Sequence, residues 1–347
     1  MISYGVLFLF SYINAVLQKR VTVTLLFFIM IIVSFFKYNI GFDWGNYHEI
    51  YLQQGDGFFF YEPLFSLLII LSNKVALEYK YFISMCSLIT LIVYYSGMRC
   101  FARDIKELAL ALTYFVVSYC YFEHFNIIRQ TLAIALFFYS WKYIIETNFI
   151  MYSLFIFFAS MIHAAAVVLL PFYFFLRIDN FKPVYYGIVV LFIIIVVRFD
   201  INSILLSSLN LFKNFDFVAR YLANSTDLAD FASKKSDLGL SKMYPAIIFV
   251  FCCFWGGIRL ESRRDYVFFN AGFIAITLLL LSYQVDILFR FFSFFETSFV
   301  LLYCIIFSGF NKKSKIILHM VNLIVYTVMT FSMLSVMGLI PYESYIF

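Results

Sequence analysis

Charge is what this sequence has least of. Of 347 residues only 13% are Asp, Glu, Lys or Arg, while 64% are apolar and the mean hydropathy is +0.93. So little polar surface cannot clothe a soluble globule, which leaves an all-α, polytopic integral membrane protein as the fold class. Cysteine chemistry is missing as well. Cys86, Cys100, Cys120, Cys252, Cys253 and Cys304 lie mostly inside apolar runs, with no CxxC pair and no histidine spaced to complete a metal site. They read as small buried hydrophobes, and no metal or cofactor is expected. No glycine-rich loop for a nucleotide phosphate is present. The first apolar run, Ile2 to Leu17, lacks a basic leader and a small-residue cleavage motif, so it reads as a retained helix rather than a signal peptide. Without a visible internal repeat, an inverted-repeat transporter gains no support from symmetry.

Apolar length is abundant instead. Stretches that span a bilayer, or nearly so, fall at about 2–17, 21–36, 61–77, 81–98, 108–122, 130–145, 149–162, 164–176, 184–199, 244–258, 266–283, 291–309 and 316–338. This gives about 12–13 transmembrane or re-entrant helices in one domain covering 1–347. The 48 phenylalanines and 27 tyrosines invite a ligand-stacking reading, but filling lipid-facing helix surfaces accounts for them. The net charge of +5 does not point to nucleic acid, because the bases sort by loop. Lys19, Arg20, Arg99, Arg103, Lys106, Lys142, Arg177, Lys182, Arg259, Arg263, Arg264, Lys312, Lys313 and Lys315 fit the cytoplasmic side. One conflict follows. If both 61–77 and 81–98 crossed, Arg99 to Lys106 would fall outside, so one is re-entrant or tilted. The pair Glu62-Pro63, with proline at its preferred first-turn position, favours 61–77.

Two external segments are neither apolar nor simple turns. The loop 37–60 mixes Asp43, Trp44, Tyr47, His48 and Glu49 with aromatics, and 200–243 interleaves charge with Phe212, Phe215, Phe217 and Tyr221. The second suits amphipathic helices lying on the membrane surface.

The unusual polar residues gather on the outer face: Asp43, Glu62, His124, Asn126, Arg129, Gln130, His163, Arg220, Asp286, Arg290 and Glu296. A guanidinium at or near lipid depth costs several kcal/mol without a partner, so Arg129 is a functional candidate by default. Arginine forks suit phosphate, and a carboxylate or histidine beside them can take a proton from a hydroxyl. Each has a plainer reading. Asp286 and Arg290 at i, i+4 can pair with each other, Arg129 can neutralise Glu123 or sit in water, His163 can be a packed histidine, and Asp43 a loop acid after Gly41.

The segments Tyr38-Asn-Ile-Gly-Phe-Asp43-Trp-Gly-Asn-Tyr47, Tyr61-Glu-Pro-Leu-Phe65, Asn126-Ile-Ile-Arg-Gln-Thr-Leu-Ala133 and Ala159-Ser-Met-Ile-His163 occur in an order that resembles the EpsG family, which includes Wzy-type polysaccharide polymerases. The similarity is strongest over 1–180 and continues through Ala219-Arg220-Tyr221, Leu288-Phe289-Arg290 and Ile340-Pro341-Tyr342. The family usually has an arginine just before the glycine and aspartate of the first motif, where this chain offers Lys37 or none, and Trp44 stands where a tyrosine is common.

The resemblance implies a bacterial inner-membrane enzyme with its site facing the periplasm or exterior. It would transfer a growing glycan from undecaprenyl pyrophosphate to the terminal sugar of another lipid-linked repeat unit. On that reading Arg129 and Arg290, with Arg220, hold the pyrophosphate. Asp43 is the first choice of base, His163 the second, and Glu62 the third, better suited to orienting a partner. Gln130, Asn126, Tyr47, His124, Tyr221 and Asp286 would position the substrate. The bilayer and the lipid-linked glycan are the expected partners, with a chain-length regulator left open. Other lipid-carrier glycosyltransferases or ligases, a flippase of lipid-linked oligosaccharide and a membrane acyltransferase are the alternatives.

Overall fold

The computed structural model describes residues 2–53, 62–197, 239–285 and 287–345. Their regular structure is helical: α1 Ile2–Leu17, α2 Arg20–Phe35, α3 Trp44–Leu52, α4 Pro63–Lys74, α5 Tyr79–Phe101, α6 Ile105–Val117, α7 Ile128–Ile145, α8 Phe149–Ile162, α9 Phe172–Phe175, α10 Pro183–Val196, α11 Leu240–Trp255, α12 Arg263–Leu281, α13 Ile287–Glu296, α14 Phe299–Ile306 and α15 Lys312–Val336. Short 3-10 turns cover Glu123–Phe125 and Ala164–Leu169. The chain is an all-α polytopic membrane protein.

Three helices, α5, α12 and α15, are long and apolar enough to cross a bilayer by themselves. Several expected spans are shorter or broken. The stretch 164–176 becomes a 3-10 turn followed by α9, divided at Pro171, which has no N–H to donate. The stretch 291–309 is split into α13 and α14, bent by 64°. The break falls at Thr297 and Ser298, and the Thr297 hydroxyl donates to its own helix at Phe294 O (3.4 Å), the kind of local bond that competes with a regular ladder.

The connections gather at two ends of the bundle. One end, the far end, holds the turns after α1, α5, α7, α9, α11 and α14. Its helices start with side-chain caps: Asp104 accepts from Glu107 N (2.8 Å), Asn148 from Met151 N (3.0 Å), Asn311 from Ser314 N (3.0 Å), and Ser262 shares a capping box with Asp265. The fourteen bases that sort to one side in the sequence lie here. Two of them are not loose loop charges, however. Arg264 donates to Glu107 (2.7 Å), Asp265 (2.7 Å) and Phe101 O (2.7 Å), and Arg103 donates to the same Glu107 (2.9 Å). Arg263 adds a bond to Ile145 O (3.3 Å). This buried network ties the α5–α6 turn and the end of α7 to the start of α12. Glu107→Ala removes the shared acid and leaves Arg264 without its main partner, an expected loss of roughly 3 kcal/mol, read as a lower unfolding temperature of the purified protein in detergent.

The α4 problem is resolved by hydrogen bonds at both of its ends. At its start Glu62 bonds to Arg129 and His163. At its finish Asn73 donates to Tyr51 O (3.1 Å) and Tyr51 Oη donates to Leu77 O. Tyr79, opening α5, donates to Trp44 O (2.8 Å). Since α3 carries both Trp44 and Tyr51 and also touches Arg129 through Tyr47, α4 begins and ends at the same end of the bundle, and α5 crosses alone.

Candidate active site

At the end opposite the ionic network α3, α4 and α7 start around one space, and the first two start on an acid that does not cap them. Asp43 and Glu62 occupy the N-cap positions of α3 and α4, yet neither side chain bonds its own helix. A carboxylate at an N-cap ordinarily satisfies the first free N–H groups. Here both acids turn to the space where α7 also starts.

Glu62 is the hub. One carboxylate oxygen receives Arg129 Nη1; the other lies 3.1 Å from His163 Nδ1 and accepts from Ala164 N (3.2 Å). Arg129 also donates from Nε to Tyr47 Oη (3.3 Å) and stands over the rings of Tyr47 and Phe65 at 5.4 and 5.9 Å. His163 lies nearly parallel to the Phe294 ring, with centroids 6.3 Å apart. Burial works against ionisation of Glu62, but the His163 hydrogen bond and the charges of Arg129 and His163 prevail and hold its carboxyl below the usual value.

Asp43 approaches from the other side. Burial raises its carboxyl above the ordinary range, and the charges of Arg129 and Arg290 oppose the rise, so both arginines act on this acid. Its loop needs glycine where it turns: Gly41 has φ +89°, and a Cβ there would meet Phe125 O at 2.9 Å.

Asp43, Glu62, Arg129, His163, Arg290, Tyr47, Asn126 and Gln130 thus come together. The last three are braces: Tyr47 holds Arg129, Asn126 Oδ1 accepts from Asp43 N (3.1 Å), and Gln130 Nε2 donates to Arg290 O (3.0 Å). Each of the three orients another site residue. His124 is a clear departure. It is 1% exposed, with Nε2 2.9 Å from Ser34 Oγ, because Tyr121 and Phe125 pack on its ring and turn it inward. Arginine 129 pairs with Glu62 rather than Glu123. The expected Arg220, Tyr221 and Asp286, most of 200–243 and the latter part of 37–60 lie outside the described residues; 240–243 open α11.

Sequence reasoning missed Lys37. It is fully buried, donates from Nζ to His124 O (2.7 Å) and sits 4.5 Å over Phe125. Burial lowers its ammonium to about 7. A single lysine directly after the apolar run 21–36 was the available signal. The sequence reading names Glu123 and Glu296 but not their pairing: both are buried, and each disfavours the charged form of the other. Burial pushes the Glu123 carboxyl well above the usual carboxylate range, against a hydrogen bond from Ser293. The folded protein therefore keeps a proton that the unfolded chain releases, so stability falls as pH rises above the ordinary carboxyl value. Glu123→Gln removes that dependence. The difference between its unfolding temperature and that of wild type should move in favour of the variant as pH rises from acid to neutral; a constant difference would contradict the assignment.

One end of this polytopic helical membrane protein thus carries two arginines, a histidine and two carboxylates that leave their own helices uncapped. The sequence model of the EpsG family matches residues 20–344, and the chain belongs to that family. Membership points to a glycosyltransferase-like membrane polysaccharide polymerase. No curated protein and no solved structure gives a significant match.

Proposed function

We propose that this protein polymerises oligosaccharide repeat units carried on undecaprenyl pyrophosphate. The observation that carries the reading is the convergence of Arg129 and Arg290 on Asp43 where α3, α4 and α7 begin. Helix N-termini bear partial positive charge and free N–H groups, so three of them beside two guanidinium groups favour a pyrophosphate. The two cations stabilise the charge that develops as the glycosidic bond to pyrophosphate breaks. Asp43 takes the proton of the attacking sugar hydroxyl, and the raised affinity of its carboxyl for protons suits a base working near neutrality. Glu62 orients Arg129 and His163. The site end faces the exterior of the bacterial inner membrane, since the far end carries the fourteen sorted bases.

Complementation tests the function. Expressed in a strain lacking its polysaccharide polymerase, the chain should restore a ladder of long chains on a gel of surface polysaccharide. Rescue only of a ligase-null strain, which accumulates lipid-linked polymer, or only of a flippase-null strain, whose repeat units stay inside, would overturn the reading.

A further inference from the structure

We infer that the segment 340–345 is a strap that positions Asp43 by clamping the foot of its loop, with Tyr342 and Tyr345 as the positioning residues. This rests on Asp43 being the base of the proposed reaction.

The loop from Phe36 to Asp43 is gripped on two sides. On one side is the strap. Lys37 and Ser344 form an antiparallel bridge, Tyr38 N donates to Glu343 O (3.1 Å), and Tyr345 N donates to Phe36 O (3.3 Å). The tyrosine hydroxyls extend the grip: Tyr342 Oη donates to Val33 O (2.9 Å) and Tyr345 Oη to Phe35 O (3.2 Å). The Tyr345 ring packs on Phe36 and Tyr81, and Lys80 lies 5.7 Å from it. On the other side is the turn 123–126. Lys37 Nζ bonds to His124 O, and Asp43 N bonds to Asn126 Oδ1. The turn alone holds the two ends of the loop through one side-chain bond each. Fixing a residue's backbone costs about 1–2 kcal/mol in entropy, which two such bonds offset only in part. The strap supplies the remaining order, so the distance of Asp43 from Arg129 and Arg290 depends on contacts some 300 residues away in sequence.

The test uses the full chain in nanodiscs, carrying Tyr345→Ala, Tyr345→Phe or Tyr342→Phe. In Tyr345→Ala, amide hydrogen exchange of peptides covering 36–43 should accelerate by roughly tenfold, as expected for a local opening. Turnover with a lipid-linked repeat unit should fall by roughly tenfold with KM little changed, as a small misplacement of a reacting group produces. The acid limb of its pH profile should move, because Asp43 no longer sits at its wild-type distance from the two arginines. Tyr345→Phe keeps the backbone bond and ring contacts and should restore most of the rate. If Tyr345→Ala fails to fold, Tyr342→Phe carries the same test with smaller shifts in the same direction. Unchanged exchange over 36–43 overturns the strap. Faster exchange with unchanged turnover and pH profile overturns its role in positioning Asp43. If Asp43→Asn alone leaves transfer intact, the assignment of the base fails, while the exchange measurement still reads the strap.

Discussion

Arg129→Ala is expected to abolish long polysaccharide at wild-type protein levels, with transfer reduced by about 10²–10³-fold, as for loss of one preorganised donor to a developing oxyanion. This guanidinium is held by several partners at once. Nη1 meets Glu62, Nε meets Tyr47, and the plane stands over two rings. A planar fork held on two edges is fixed in orientation. A lysine in its place keeps the charge but cannot reach Glu62 and Tyr47 together, so Arg129→Lys should recover only part of the rate. Loss of Arg129 also removes a partner from a carboxylate that is only 7% exposed. Part of any effect on protein level therefore belongs to folding, and the rate must be normalised to folded protein. Ladders of normal length from Arg129→Ala at normal expression would remove the pyrophosphate grip from the proposal.

Asp43→Asn should be the second severe variant, losing about 10²–10⁴-fold, the range for removal of a general base. Its pH behaviour discriminates more sharply than its rate. In the wild type, burial raises the Asp43 carboxyl while Arg129 and Arg290 hold it down. Arg290→Ala deletes one opposing charge, so the carboxyl rises further. The working form is the carboxylate, so the acid limb of the rate profile must shift to higher pH in Arg290→Ala. This holds whatever the loss of maximal rate. A limb that stayed in place, or moved to lower pH, would separate Arg290 from Asp43 or show that another group takes the proton.

Some of this site is visible in the chain before folding and some is not, and the division is physical. Asp43, Glu62, Arg129 and His163 are conspicuous because ionisable residues are costly beside apolar runs and few are present. Their pairing is not visible. Glu62 meets partners 67 and 101 positions away, and no local periodicity encodes such separations. The loop charges that sort together in the sequence lie at one end of the bundle, but the sorting rule says nothing of partners, and Arg103 and Arg264 are neutralised there by Glu107 and Asp265. His124 failed for a related reason. A polar residue near a helix end reads as exposed, but its aromatic neighbours on the 3-10 turn fold inward and take the imidazole with them. The break between α13 and α14 was hidden inside an apolar run long enough to pass as one helix.

The course of α4 also determines how substrate concentration should be understood. Twelve residues make a rod of about 18 Å, and both of its ends are held at the site end, so in the proposed orientation α4 lies within the outer leaflet. Leu67 and Leu71 remain exposed on it, a surface suited to acyl chains, while Glu62 leads its other end into the charged cluster. In the proposed reaction a polyprenyl carrier approaches by sliding within that leaflet, and its tail never leaves the hydrocarbon. Encounter is then two-dimensional. The quantity that governs saturation is the mole fraction of carrier among the lipids, so diluting vesicles in buffer leaves the rate per enzyme unchanged, whereas adding inert lipid lowers it.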